Sequence, residues 1–490
     1  MGGGDLTVDS GLDLKRVALK HRRTKIVATV GPASAGLDVL GRLVHAGVDV
    51  FRLNFSHGTH EAHAAAFANI RTAAAQAGRH VAVLADLCGP KIRVGRFEGG
   101  RVTLPAGQEV VVTVRPGVIG SPSLIPSEYV ALADDVKAGD RILLADGKLE
   151  LAVLAVTGPD IRCMVIHGGE LGDRKGMNLP GVAVSAPALT DKDRADALFA
   201  AELGVDYLAL SFVRAASDVE GLKELVAAAG RYVPVIAKIE KPEALDAIAA
   251  IVEASDGIMV ARGDLGVELP AEEVPIIQQE LVRMARKRAR PVIVATQMLE
   301  SMIDNPRPTR AEVTDVASAA LGSADAVMLS AETASGQFPV EAVATLDRVL
   351  RLVEGYQWAH GQFGRDDEPD ARDEAHAFAR AVAQLSRDLQ VRAVVVPTRS
   401  GHTARVVSSQ RPASPIIATA DHEAMCRRLA LLWGVRAEPI ATEALGHLPE
   451  TARDLAVRLG LATAGQHVLL VWDADPGHPA SAPTITVLRA

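Results

Sequence analysis

Six short apolar runs in this chain end in residues able to do chemistry, and their types complement one another. One run ends in Arg52-Leu53-Asn54-Phe55-Ser56-His57-Gly58 and another in Asp86; the others end in Lys238-Ile239-Glu240, Arg262-Gly263-Asp264, Thr296-Gln297 and Ser330-Ala331-Glu332. Glu240 and Asp264 are the best pair for a divalent cation, because Mg²⁺ takes one or two carboxylates and leaves its other positions to water and substrate oxygens. Lys238 could neutralise a phosphoryl group in transfer or a developing enolate. Without catalysis it would be a salt-bridge partner of Asp264. Arg52 and Arg93 add the positive charge that phosphate recognition needs. Thr296 offers a hydroxyl to substrate or to an ordered water. Lys175, in Gly172-Asp173-Arg174-Lys175-Gly176, could reach nucleotide phosphates if its segment moves. A ring of ion pairs closing a sheet is the bland alternative, but it explains poorly why so many polar ends recur. Together these residues point to Mg²⁺-dependent chemistry on a small, anionic, phosphorylated substrate.

The elements that must position them are parallel strands. β-branched runs recur at Thr24–Val30, Asp49–Asn54, His80–Asp86, Asp206–Ser211, Tyr232–Lys238, Gly257–Arg262, Pro291–Thr296 and Asp325–Ser330. Between them lie amphipathic segments, including His60–Ala77, Ser217–Ala229, Glu272–Arg288 and Arg310–Leu321. Continuous apolar strands alternating with helices indicate a parallel sheet buried on both faces, and eight such units close into a (β/α)₈ barrel. Chemistry in that fold sits at the C-terminal ends of the strands, where the six polar sequences lie. After the third strand the text changes to short alternating runs rich in glycine, which read as an inserted small β-barrel that could act as a lid. After Tyr356 comes a polar, acidic stretch, GQFGRDDEPDARDE, then strands at Ala393–Pro397, Pro415–Thr419 and His467–Trp472 alternating with helices. The expected division is barrel 1–89, lid 90–177, barrel 178–355 and a C-terminal α/β domain 356–490.

Composition excludes several classes. A formal net charge of −8 argues against a general nucleic-acid binder. No apolar run is long enough to span a bilayer, and MGGGDLTVDSGLDLKR carries no signal-peptide core, so the expectation is a cytoplasmic protein. The three cysteines, Cys88, Cys163 and Cys426, show no metal-ligand spacing and no disulfide framework. Cys88 has Lys91 and Arg93 nearby, which would favour an oxidisable thiolate; a small residue tolerated by its loop is the plainer reading. In the C-terminal domain, Thr398-Arg399-Ser400-Gly401-His402-Thr403 joins a strand to a helix. Thr398, Ser400 and Thr403 at a helix N-terminus could hold a phosphate or simply cap the helix.

Seven stretches carry a family resemblance: TKIVATVGPAS, FRLNFSHG, GGELGDRKGMNLPG, AKIEKPEAL, SDGIMVARGDLGVELP, VATQMLESMIDNPRPTRAEVTDVASA and DAVMLSAETASGQFPVEAV. They resemble pyruvate kinase along nearly the whole chain, and the last three are long and family-specific. The resemblance implies phosphoryl transfer from phosphoenolpyruvate to ADP. It implies that Arg52, Lys238, Gly263, Asp264 and Thr296 contact phosphoenolpyruvate, with Ser211 and Phe212 beside the pocket. Glu240 and Asp264 would hold Mg²⁺ (or Mn²⁺). Lys238 would stabilise the transition state, and Thr296 with Ser330 would organise the water that protonates the enolate. Asn54, Phe55, Ser56, His57, Arg93 and Lys175 would contact the nucleotide or its phosphates. A homotetramer and a phosphorylated allosteric effector at Thr398, Ser400 and Thr403 follow from the same source.

One departure matters. Many family members read Thr-Lys-Gly-Pro-Glu after the position of Asp86, where this chain reads Leu87-Cys88-Gly89-Pro90-Lys91. In K⁺-dependent relatives, oxygens at the positions of Asn54, Ser56, Asp86 and Leu87 hold the cation. The expectation is that Lys91 fills that pocket and K⁺ is not required, as in the K⁺-independent branch that the Leu and Lys resemble. Two further readings stand beside this one: a Mg²⁺-dependent barrel lyase or aldolase that forms a pyruvate enolate, and a catalytically silent regulatory paralogue.

Overall fold

The computed structural model describes residues 18–363, 374–441, 447–472 and 483–490. The acidic stretch expected as a linker falls mostly outside them. Eight parallel strands close into one barrel: β1 (Lys25–Val30), β2 (Val50–Asn54), β3 (Ala82–Asp86), β4 (Tyr207–Leu210), β5 (Val235–Ile239), β6 (Gly257–Ala261), β7 (Val292–Ala295) and β8 (Ala326–Leu329). All eight runs read from the sequence are strands, several beginning one to three residues later than expected.

Strand alternation sorts their side chains into two sets. Ile26, Phe51, Leu53, Val83, Leu208, Val235, Val260 and Val294 face outward and pack under the helices. Val27, Val50, Leu84, Ala209, Ile236, Met259, Ile293 and Met328 fill the barrel interior. Adding two to an interior position keeps the same face. Val27 leads to Thr29, Val50 to Arg52, Leu84 to Asp86, Ala209 to Ser211, and Ile236 to Lys238. The polar crown of the barrel is thus the upward continuation of its apolar core.

The lower rim is closed by a device that repeats four times. Asp49 accepts from the Ile26 amide at 2.9 Å, Asp206 from Val83 at 2.8 Å, Asp256 from Val235 at 2.9 Å and Asp325 from Val292 at 3.0 Å. Each aspartate precedes an even-numbered strand and accepts from an N–H at the start of the strand before it. Burial would raise the Asp49 carboxyl, but Arg22, Lys25 and Arg79 outweigh it and hold that carboxyl below its ordinary range.

The inserted segment leaves β3 and forms its own core around Leu104, Val112, Ile142 and Leu151. It contains a six-stranded sheet and the two-stranded pair Arg101–Leu104 with Gly169–Gly172. A short helix, Leu132–Asp135, also lies within this β insertion. The C-terminal domain has a five-stranded sheet. Beside the three expected strands it includes Val435–Pro439 and an antiparallel edge strand, Thr484–Arg489. This domain seats on the lower end of the barrel: Leu431 joins the interior core and Arg427 Nε meets Asp206 Oδ1 at 3.0 Å. Among the described residues no helix is long and apolar enough to cross a membrane.

Candidate active site

Lys238 stands at the centre of the upper barrel. Its Nζ lies 2.6 Å from Ser211 Oγ, 2.9 Å from Glu240 Oε1 and 3.2 Å from Asp86 Oδ1. An ammonium has three N–H donors, and here three oxygens surround it. Burial alone would lower its pKa, but Asp86 and Glu240 more than compensate and raise it. The salt bridge considered from sequence, Lys238 to Asp264, is not formed. Asp86 is 1% exposed and shared, since Arg52 Nε meets its other oxygen at 2.6 Å. Arg52 also donates to Thr29 Oγ1 at 3.1 Å. Burial would raise the Asp86 carboxyl, yet Lys238 and Arg52 hold it below its usual range.

Glu240 behaves in the opposite way. It is 1% exposed, and burial together with the negative charge of Asp264 raises its pKa despite Lys238. Its second oxygen accepts from the Phe212 amide at 2.8 Å. Two carboxylates that repel each other at the top of adjacent strands suit a divalent cation, which would relieve the repulsion. Their oxygen-only donors fit Mg²⁺ or Mn²⁺. Among the described residues no group of three or more His, Cys, Asp or Glu forms a metal cage, so such an ion would draw its remaining ligands from water and substrate.

The backbone around this cluster is tightly held. Phe212, Thr296 and Gln297 all take positive φ, at 55°, 70° and 55°. Such a conformation is uncommon outside glycine, and for a β-branched threonine it is an outlier. The Thr296 hydroxyl accepts from the Gly263 amide at 2.8 Å and donates to Ala295 O at 2.6 Å, tying the ends of β6 and β7 together. Gly89 has φ 68°, and a Cβ there would lie 2.6 Å from the Phe212 ring and 2.8 Å from Ser211. Its amide donates to Asp193 at 3.0 Å, which fixes the turn after β3.

At the end of β8, Glu332 is 2% exposed. It accepts from the amides of Ser330 at 2.6 Å and Leu299 at 3.1 Å; burial raises its pKa. Sequence reading gave Glu332 no role, and here it braces the loops after β7 and β8. No direct hydrogen bond joins Thr296 to Ser330. Thr29 was also missed, because its hydroxyl gains meaning only once β1 and β2 are paired.

The remaining rim residues fall in different places. Phe55 does not face the site: its ring is 2% exposed and stacks on His63 at 4.2 Å. The apolar side chain completes the core, leaving the backbone and Asn54, Ser56 and His57 at the rim. Within that loop, Asn54 Oδ1 accepts from the Ser56 amide at 3.2 Å. Lys91 does not pair with Asp86, whose two oxygens face Arg52 and Lys238. Its ion pair is with Asp264, at 3.6 Å. Arg93 and Lys175 lie on the two chain segments that join lid to barrel, and among the described residues neither forms an ion pair with the barrel. Lys91, Asp146, Gly263, Asp264 and Gln297 line a cleft of about 1070 Å³ between lid and barrel.

In the C-terminal domain, Thr398 Oγ1 accepts from the Gly401 amide at 3.0 Å and Ser400 Oγ from that of His402 at 3.4 Å. These hydroxyls organise the turn before the helix His402–Ser409. Cys88 is a free, half-buried thiol.

Comparison with known proteins agrees with this geometry. The family model "Pyruvate kinase, barrel domain" matches residues 21–343, and "Pyruvate kinase, alpha/beta domain" matches 376–488. A pyruvate kinase of Geobacillus stearothermophilus is 46% identical over 94% of this chain and 79% of its own length. One of Mycobacterium intracellulare is 45% identical over 96% of this chain and 98% of its own. The crystal structure of a pyruvate kinase from Cryptosporidium parvum superposes with a TM-score of 0.87 at 34% identity, covering 100% of this chain and 99% of that one. The alternative of a lyase or aldolase loses its footing against such matches. With a closed eight-stranded barrel, a C-terminal α/β domain and close relatives over most of its length, the chain belongs to the pyruvate kinase family and is a phosphotransferase.

Proposed function

We propose that the upper barrel transfers the phosphoryl group of phosphoenolpyruvate to ADP, with Lys238 as its central charge. The observation that carries this reading is the Lys238 ammonium, held by Ser211, Glu240 and Asp86 and kept protonated by its neighbours. An ammonium with a raised pKa is a poor proton donor. Its role is to offset negative charge on the phosphoryl group in flight and on the enolate left behind. Loose phosphoryl transfer needs such positioning and charge more than a strong base. Arg52, locked by Asp86 and Thr29, presents its guanidinium to the substrate anion. Glu240 and Asp264 would hold a divalent cation, which would supply Lewis-acid charge to the reaction. The Gly263 amide donates to Thr296, whose hydroxyl oxygen, with Ser330, orders the water that delivers a proton to carbon. Asn54, Ser56, His57, Arg93 and Lys175 receive the nucleotide as the lid segment approaches. A coupled assay of pyruvate formation tests this: turnover should require phosphoenolpyruvate, ADP and Mg²⁺ together, and pyruvate formed without ADP would refute it.

Three finer features belong to the same reading. The enzyme needs no K⁺, because Lys91 places a permanent monovalent charge at the acidic rim. Thr398, Ser400 and Thr403 bind a phosphorylated effector at the start of their helix. The protein works in the cytoplasm as a homotetramer, on the pattern of the family.

A further inference from the structure

The lid joins the barrel through a two-stranded ribbon. Val94 donates to Lys175 O at 3.0 Å, Met177 donates to Ile92 O at 2.9 Å, and Arg93 pairs with Gly176. Both strands of the ribbon reach one short helix, Arg262–Glu268. Near its start, Asp264 meets Lys91 of the outgoing strand at 3.6 Å. At its end, Glu268 Oε1 accepts from Asn178 Nδ2 of the returning strand at 3.1 Å. The same oxygen meets Lys241 Nζ at 2.5 Å. Lys241, Glu268 and Asn178 are each only 9% exposed, so this is a buried junction and not a surface pairing.

Its position in the chain gives it consequence. Lys241 directly follows Glu240, and Glu268 lies four residues, about one helical turn, after Asp264. The Lys241–Glu268 pair therefore fixes the spacing between the two strand ends that present Glu240 and Asp264. We propose that Lys241 and Glu268 are positioning residues for the Glu240–Asp264 cation site, and that Asn178 couples the lid to them. A buried pair of this kind contributes little net stability compared with apolar packing, but it restricts geometry, as the outer partners of metal ligands do. When the lid shifts, Asn178 and Lys91 both pull on the helix that carries Gly263 and Asp264.

This inference rests on the reading of Glu240 and Asp264 as the cation pair, and the test separates the two. The probe is Mn²⁺ alone, its binding measured by electron paramagnetic resonance on the full-length protein. Glu268→Gln keeps an oxygen for Asn178 but removes the charge that holds Lys241, and should weaken Mn²⁺ binding roughly 10-fold. Lys241→Met should do the same and serves if the first variant does not fold. Asn178→Ala leaves the Lys241–Glu268 pair in place, so it should keep the affinity for Mn²⁺ alone while raising the KM for ADP severalfold at little cost in kcat. Asp264→Asn is the reference variant. If it loses Mn²⁺ while Glu268→Gln and Lys241→Met bind as wild type, the positioning role is overturned and the cation pair stands. If Asp264→Asn itself binds Mn²⁺ as wild type, the cation assignment and the positioning role both fall. An unchanged KM for ADP in Asn178→Ala overturns the lid coupling.

Discussion

Replacing Lys238 by methionine keeps most of the side-chain volume and removes only the charge. Three oxygens within 2.6–3.2 Å lose their common donor. In the transition state a lost charge donor of this kind costs about 10²–10³ in kcat, or roughly 3–4 kcal/mol. In the folded protein, breaking a buried ion pair costs about 3–5 kcal/mol. The lower end applies here, because Asp86 keeps Arg52 at 2.6 Å and Glu240 keeps the Phe212 amide.

The pH dependence carries a distinct signature. The Glu240 carboxyl is already raised by burial and by Asp264, and loss of the lysine raises it further. A raised carboxyl is comfortable when protonated, so its contribution is fully present below its unfolded pKa and is lost as pH rises through the folded one. Lys238→Met should therefore be most destabilised at neutral pH, and its deficit should shrink as pH falls through the raised Glu240 pKa. Calorimetric melting at two pH values, with kcat from coupled pyruvate formation, measures both effects. Turnover within threefold of wild type, or a stability deficit independent of pH, would refute the role given to Lys238.

Gly89→Ala should destabilise by roughly 1–3 kcal/mol, since its Cβ would press on Phe212 and Ser211 in a left-handed turn; the midpoint of denaturant unfolding checks this, and no change would mean that the turn relaxes freely. Turnover in K⁺-free buffer at constant ionic strength should match that with K⁺ for wild type, whereas Lys91→Glu should be slow until K⁺ is added. Strong K⁺ activation of the wild type would show that Lys91 does not replace the ion. Ser400→Asp should abolish activation by phosphorylated effectors in steady-state kinetics, and an unchanged response would remove the effector site from that turn.

The barrel was legible because its strands are buried on both faces and read as unbroken apolar runs. Three starts were misjudged for a physical reason: Asp49, Asp206 and Asp325 precede their strands and cap the neighbouring backbone instead of extending the pleat. The strand Val435–Pro439 was hidden by its polar sequence, VRAEP, and by its place at a sheet edge, where half-exposed positions dilute the pattern. In the site, Arg52, Asp86, Lys238 and Glu240 are brought together as their positions on strand ends suggest. The Phe55 ring turns into the core, which the motif does not display because it names a loop without saying which side chain turns inward. Lys91 paired with Asp264 because Arg52 and Lys238 had already engaged Asp86, a competition that sequence does not display. The Lys241–Glu268–Asn178 junction was invisible for the same reason, as its members are 63 or more residues from Asn178 along the chain.

Phosphorus NMR of the purified protein with phosphoenolpyruvate, ADP and Mg²⁺ follows the transferred atom itself. The phosphoenolpyruvate signal should fall in step with growth of the γ-phosphate of ATP, and Asp264→Asn should leave both signals unchanged over the same interval. Release of inorganic phosphate in place of ATP, or undiminished transfer in Asp264→Asn, would contradict the assignment of this barrel site to phosphoryl transfer between phosphoenolpyruvate and ADP.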